Sequence, residues 1–105
     1  MAQVPDKIKK TIYKFLAALQ ENNIPVKRAI LFGSYAHGNY NEWSDIDLAV
    51  VSDFFIGDRF DDKKKIRPIT LSISYDLEIL PYNTQDFTED DPFVKEIIKT
   101  GIEIV

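Results

Sequence analysis

The 105-residue sequence contains no cysteine, one histidine (His37), one methionine and one tryptophan. Without cysteine there is no disulfide framework, thiolate zinc site, iron–sulfur cluster or cysteine nucleophile. A lone histidine leaves no basis for a histidine zinc site. Any metal must therefore be held by carboxylates, the donors preferred by hard cations such as Mg²⁺. Basic charge is not in excess: 13 Lys and Arg stand against 17 Asp and Glu, giving net −4. That balance argues against a sequence-independent grip on DNA or RNA through phosphate neutralisation. No apolar run approaches a membrane span, and the start, MAQVPDKIKK, lacks the apolar core of a signal peptide. The expectation is one cytoplasmic domain over residues 1–105, with 45% hydrophobic residues for its core. A chain this long can bury roughly two-thirds of its unfolded surface.

Apolar residues at helical spacing from Asp6 to Gln20 predict an amphipathic helix, with Asp6 as cap and Asn22-Asn23 at its end. Arg28 to Phe32 reads as a buried strand stopped by Gly33, and Asp45 to Val51 as a second. A helix carrying Lys63, Lys64, Lys65 and Arg67 follows, its far end obscured by Pro68. The alternation from Ile73 to Leu80 predicts a third, half-buried strand, with Ile73, Tyr75, Leu77 and Ile79 on its apolar face. Asp91 as cap, Pro92 in the first turn and Gly101 past the end mark a last helix, and Ile102 to Val105 an edge strand. This order predicts an α+β domain, a small mixed sheet of about four strands with helices on one face.

The chemistry concentrates between the first two strands. Gly33-Ser34 follows one directly, and ten residues later Asp45-Ile46-Asp47 opens the other. Asp45 and Asp47, at i and i+2, leave the same face of a strand with Cα atoms roughly 6.5 Å apart. Two such carboxylates repel each other, and a pair of divalent ions about 3.5–4 Å apart, the arrangement used for in-line displacement at phosphorus, relieves that repulsion. Taken alone, an Asp-x-Asp reads first as a solvated strand end or a turn, because acids are common. Gly33-Ser34 shifts the weighing: glycine lets backbone approach a ligand, and Ser34 offers a hydroxyl and an N–H at the start of a short helix, Ser34 to Ala36, suited to phosphate oxygens. There is no Walker P-loop, no G-x-G-x-x-G and no G-x-S-x-G, so those nucleotide-binding and hydrolase mechanisms are excluded. Trp43 and Tyr35 read first as packing over this turn, with stacking on a base as the alternative, Phe54, Phe55 and Ile56 as core or a partner surface, and Gly38 and Asn39 as turn residues.

Leu31-Phe32-Gly33-Ser34-Tyr35-Ala36-His37-Gly38 followed by Ser44-Asp45-Ile46-Asp47-Leu48-Ala49-Val50-Val51 resembles the nucleotidyltransferase superfamily related to DNA polymerase beta. The short length resembles its minimal nucleotidyltransferase subgroup, whose members accompany HEPN-domain proteins as antitoxins. The resemblance implies transfer of a nucleoside monophosphate, AMP from ATP, to a hydroxyl of a partner protein, a HEPN tyrosine. It assigns Gly33 and Ser34 to the triphosphate and Asp45 and Asp47 to Mg²⁺. It also implies a third acid on a neighbouring strand that binds metal and helps deprotonate the acceptor. Asp76 and Glu78 share the required face; Glu78, just before Ile79-Leu80-Pro81-Tyr82, is favoured. Two residues depart from the pattern: Glu78 stands where larger relatives carry Asp, and His37 where many carry Arg. Two other functions fit: a module that neutralises a HEPN partner by binding alone, and a small-molecule nucleotidyltransferase whose cleft a dimer or partner completes.

Overall fold

The computed structural model describes residues 4–105. Helix α1 (Asp6–Glu21) is followed by strand β1 (Arg28–Phe32), a one-turn helix α2 (Ser34–His37) and strand β2 (Ile46–Val51). Helix α3 (Arg59–Ile73), strand β3 (Leu77–Tyr82), helix α4 (Pro92–Thr100) and the two-residue strand β4 (Ile102–Glu103) complete the order. The four strands form one mixed sheet in the order β3-β2-β1-β4. β1 pairs antiparallel with both β2 and β4, and β2 pairs parallel with β3. Parallel pairing needs a long return, which α3 supplies.

Side-chain alternation divides the core. Ala29 and Leu31 of β1 and Ile46, Leu48 and Val50 of β2 face Ile12, Phe15 and Leu19 of α1 and Ile66 of α3. Ile30, Ala49 and Val51 face the other way, onto Val94 and Ile97 of α4 and onto Phe87. The two long helices thus share one face as expected, while α4 takes the other. The reason is visible in β2, whose last four residues are all buried: a strand apolar on both faces needs cover on both. Ile12, Phe15 and Leu19 are fully buried, each worth roughly 1.5–3 kcal/mol relative to exposure.

Two local expectations are corrected, and one open boundary is settled. Asp6 does not cap α1; Pro5 holds that position, its carbonyl accepting from the N–H groups of Ile8 and Lys9, and Asp6 lies in the first turn, where a negative charge suits the helix dipole. Helix α3 runs through Pro68 to Ile73. The missing N–H falls on an exposed turn where water can serve the freed carbonyl, and buried Ile66 and Thr70 anchor the helix on either side. The third strand therefore begins at Leu77, not Ile73, and continues through Pro81 to Tyr82. Ile73 closes the helix, and Tyr75 is 85% exposed in the turn between them.

The strand Pro81 has a specific location. Ile46 N–H donates to the Asp76 carbonyl and Ser52 N–H to that of Tyr82, so even-numbered residues of β3 face β2. Leu77, Ile79 and Pro81 turn their backbone polar groups to the free edge, where a missing N–H breaks no ladder bond.

Candidate active site

Topology brings the two motifs together. Because β1 and β2 are antiparallel, the end of β1 lies beside the start of β2, with Phe32 opposite Asp47. Because β2 and β3 are parallel, the start of β3 meets the same place, with Asp47 opposite Glu78. The next step of that register sets Asp45 level with Asp76. Gly33, Ser34, Asp45, Asp47 and Glu78 thus occupy one end of the sheet.

Gly33 is the corner. Its φ of 72° and ψ of −152° belong to a region open almost only to glycine. A Cβ there would overlap Asp47 Oδ2 and lie 3.1 Å from its Cγ. The backbone therefore lies against the carboxylate as no other residue would permit. The N–H groups of Ala36 and His37 donate to the Gly33 carbonyl. Those of Ser34 and Tyr35 have no backbone acceptor among the described residues and remain available, with the Ser34 hydroxyl, to anionic oxygens. The connection onward is tied locally: Gly38, at φ 80°, ends α2, and Asn41 and Ser44 close a turn. Asn41 N–H donates to Ser44 Oγ at 2.9 Å and Trp43 N–H to Asn41 Oδ1 at 2.8 Å. This turn delivers Asp45 exposed and Asp47 half-buried.

Burial pushes the Asp47 carboxyl above the ordinary carboxylate range, and the negative charges of Asp45 and Glu78 push it further. Glu78 is exposed and accepts from Lys63 Nζ of α3 at 2.6 Å. Among the described residues no three acidic or histidine side chains converge as a ready cage; the carboxylates are neighbours along the sheet end, with Glu78 drawn toward Lys63. The donor set still fits a hard divalent cation. It is all oxygen, and it carries a mutual repulsion that such a cation offsets. Asp76 is exposed, and its N–H donates to Ser74 Oγ at 3.1 Å. The register sets Asp76 level with Asp45, and Glu78 level with Asp47.

Of the aromatic residues, Tyr35 is buried and stacks on Tyr40, centroids 4.6 Å apart. Trp43 does not pack over the turn: it is 84% exposed. Phe55 is core, while Phe54 and Ile56 are exposed. Lys63 was legible only as part of a charge run; its contact with Glu78 spans 15 residues and has no short-range signal.

The profile of the nucleotidyltransferase domain family matches residues 12–104. The chain belongs to that family. Two Methanocaldococcus jannaschii proteins, each named "Putative protein adenylyltransferase", are similar to this nucleotidyltransferase domain. MJ0141 is 35% identical over 79 residues, 73% of this chain and 77% of its own length. MJ0604 is 49% identical over 45 residues, 42% of this chain, and the chain spans only 45% of that relative's length. The nucleotidyltransferase fold also matches a solved structure described as a toxin–antitoxin with AMP-PNP. That match has a TM-score of 0.59 at 24% identity and covers 89% of this chain and 71% of the other. The expected α+β fold agrees with this likeness. No helix among the described residues is long and apolar enough to cross a membrane.

Proposed function

We propose that this domain transfers AMP from ATP to a side-chain hydroxyl of a partner protein and thereby acts as an antitoxin. The observation that carries the reading is the packing of Gly33 against Asp47, with Glu78 in register beside it. Backbone donors suited to phosphate and carboxylates suited to its metal thus share one sheet end. The two relatives named as protein adenylyltransferases support the reaction class. The toxin–antitoxin neighbour supports a toxin as partner, and the sequence resemblance points to a HEPN protein and a tyrosine acceptor.

In this reading the Ser34 hydroxyl and the free N–H groups of Ser34 and Tyr35 hold the β- and γ-phosphates, and Asp45 and Asp47 hold Mg²⁺. Glu78 would join them as a metal ligand on the acceptor side. A divalent cation held by these carboxylates would supply Lewis-acid polarisation of phosphate oxygens. The acceptor oxygen forms a bond to the α-phosphorus as the bond from that phosphorus to the bridging oxygen of the β-phosphate breaks. Glu78 takes up the acceptor proton, and Lys63, paired with it at 2.6 Å, restrains the carboxylate between turnovers.

A second reading, neutralisation by binding alone, is favoured by one observation: Glu78 is held by Lys63 rather than gathered with the aspartates. Incubation with the toxin partner, ATP and Mg²⁺, followed by intact-mass measurement, separates the two. Adenylyl increments on the partner, absent with Asp45→Asn and Asp47→Asn, support transfer. A stable complex without increments overturns it in favour of binding alone.

A further inference from the structure

Beside Glu78 a groove of about 240 Å³ runs between α3 and the outer edge of β3. Its walls come from Lys63, Arg67 and Leu71 of α3, the exposed Tyr75, and Leu77 to Ile79 of β3. Three properties define what fits. β3 is an edge strand, and Leu77 and Ile79 present unpaired backbone groups toward the groove until Pro81 ends the run. Such an edge is a template for an added extended segment. Leu71 and Tyr75, 46% and 85% exposed, offer apolar contact. The charge in the lining is locally positive in a chain of net −4: Lys63 and Arg67 stand against the one acid, Glu78, and Lys63 is paired with it. Arg67 has no carboxylate partner among the described residues.

From these observations we propose that the groove docks an extended, acidic segment of the acceptor protein, which pairs with Leu77 and Ile79 and sets its carboxylate against Arg67. A segment lying there passes Glu78, so its hydroxyl-bearing residue reaches the acid that takes the acceptor proton. The purpose of the groove rests on the adenylyl-transfer reading; its existence does not.

The test measures binding of a labelled short peptide of alternating aspartate and valine with one central tyrosine to the full chain, without nucleotide. Saturable binding is expected, weakened about tenfold by Arg67→Glu, which replaces an attraction with a repulsion. Leu71→Ser should weaken it by a smaller factor, and a peptide N-methylated at alternate amides should lose it. Mg-ATP affinity should not change in Arg67→Glu. No binding, equal binding of a lysine-for-aspartate peptide, or indifference to Arg67→Glu overturns the proposal. Arg67-dependent binding of oligouridylate in place of the peptide would reassign the groove to RNA. Self-association abolished by Arg67→Glu would reassign it to a second copy. A peptide that binds but never acquires AMP would leave the groove standing and count against the transfer reading.

Discussion

Replacing Gly33 by alanine tests the corner on which the site depends. The glycine-only conformation at φ 72° and ψ −152° costs an alanine about 1–3 kcal/mol in strain. The added Cβ must also displace the Asp47 carboxylate, whose Cγ and Cβ would lie 3.1 and 3.3 Å away. Against this stands a gain of about 0.4–1 kcal/mol from a stiffer unfolded chain. The net loss should be about 2–3 kcal/mol. At about 4–8 °C per kcal/mol for a domain near this size, Tm should fall by more than about 8 °C. Gly38 is the control: it also has positive φ, 80°, but a Cβ there meets nothing within 4 Å. Gly38→Ala should lose less than about 1 kcal/mol once its left-handed strain is set against the same unfolded-state gain. Combining Gly33→Ala with Asp47→Ala removes the collision, so the cost of Gly33→Ala should shrink by roughly 1 kcal/mol in that background. Urea denaturation of the four variants, with Mg-ATP titration of the folded Gly33→Ala and Gly38→Ala proteins, reads all of this. If Gly33→Ala matched Gly38→Ala in both stability and Mg-ATP affinity, the reasoning from backbone contact would be refuted.

The Asp47 carboxyl, raised by burial and by Asp45 and Glu78, binds its proton more tightly folded than unfolded. Its contribution to stability therefore falls as pH rises from the ordinary carboxylate range through the raised value. Asp47→Asn should remove that dependence and be more stable than the parent at neutral pH without Mg²⁺; a parent whose advantage over Asp47→Asn grows with pH would contradict it. Asp62 is fully buried and its two oxygens each accept at 3.0 Å, from the N–H groups of Ile56 and Gly57. Asp62→Ala leaves both donors unsatisfied and should cost about 3 kcal/mol in urea denaturation, against an effect near zero if the loop relaxes to water. Lys63→Met should leave stability within about 0.5 kcal/mol, since its pair with Glu78 is exposed. By freeing Glu78 it should tighten Mg²⁺ binding in calorimetry; weaker binding would show that Lys63 organises the site rather than competes for it.

The sequence was most informative where local chemistry decides structure. Asp91 caps α4, accepting from Phe93 N–H at 2.8 Å, and Asn22 closes α1 with its side chain on the Ala18 carbonyl at 2.7 Å. The spacing of Gly33-Ser34 and Asp45-Ile46-Asp47, with the family resemblance, pointed to one site, while the antiparallel pairing of β1 with β2 that joins them came from the fold. Residues around β3 were less legible because two periodicities overlap there. Ile73 and Tyr75 continue the alternation of Leu77 and Ile79, yet one ends a helix and the other lies in a turn. Nothing local announced that α3 would continue through Pro68, since the anchors Ile66 and Thr70 are set by tertiary packing. The burial of Asp62 and the reach of Lys63 to Glu78 are products of the fold.

The most direct test of the central claim follows the phosphorus atoms. The chain is incubated with its protein partner, Mg²⁺ and ATP radiolabelled at either the α- or the γ-phosphate. Transfer at the α-phosphorus predicts stable label on the partner from α-labelled ATP alone, lost with Asp45→Asn and Asp47→Asn. Label from γ-labelled ATP, or none from either while the complex forms, would contradict it.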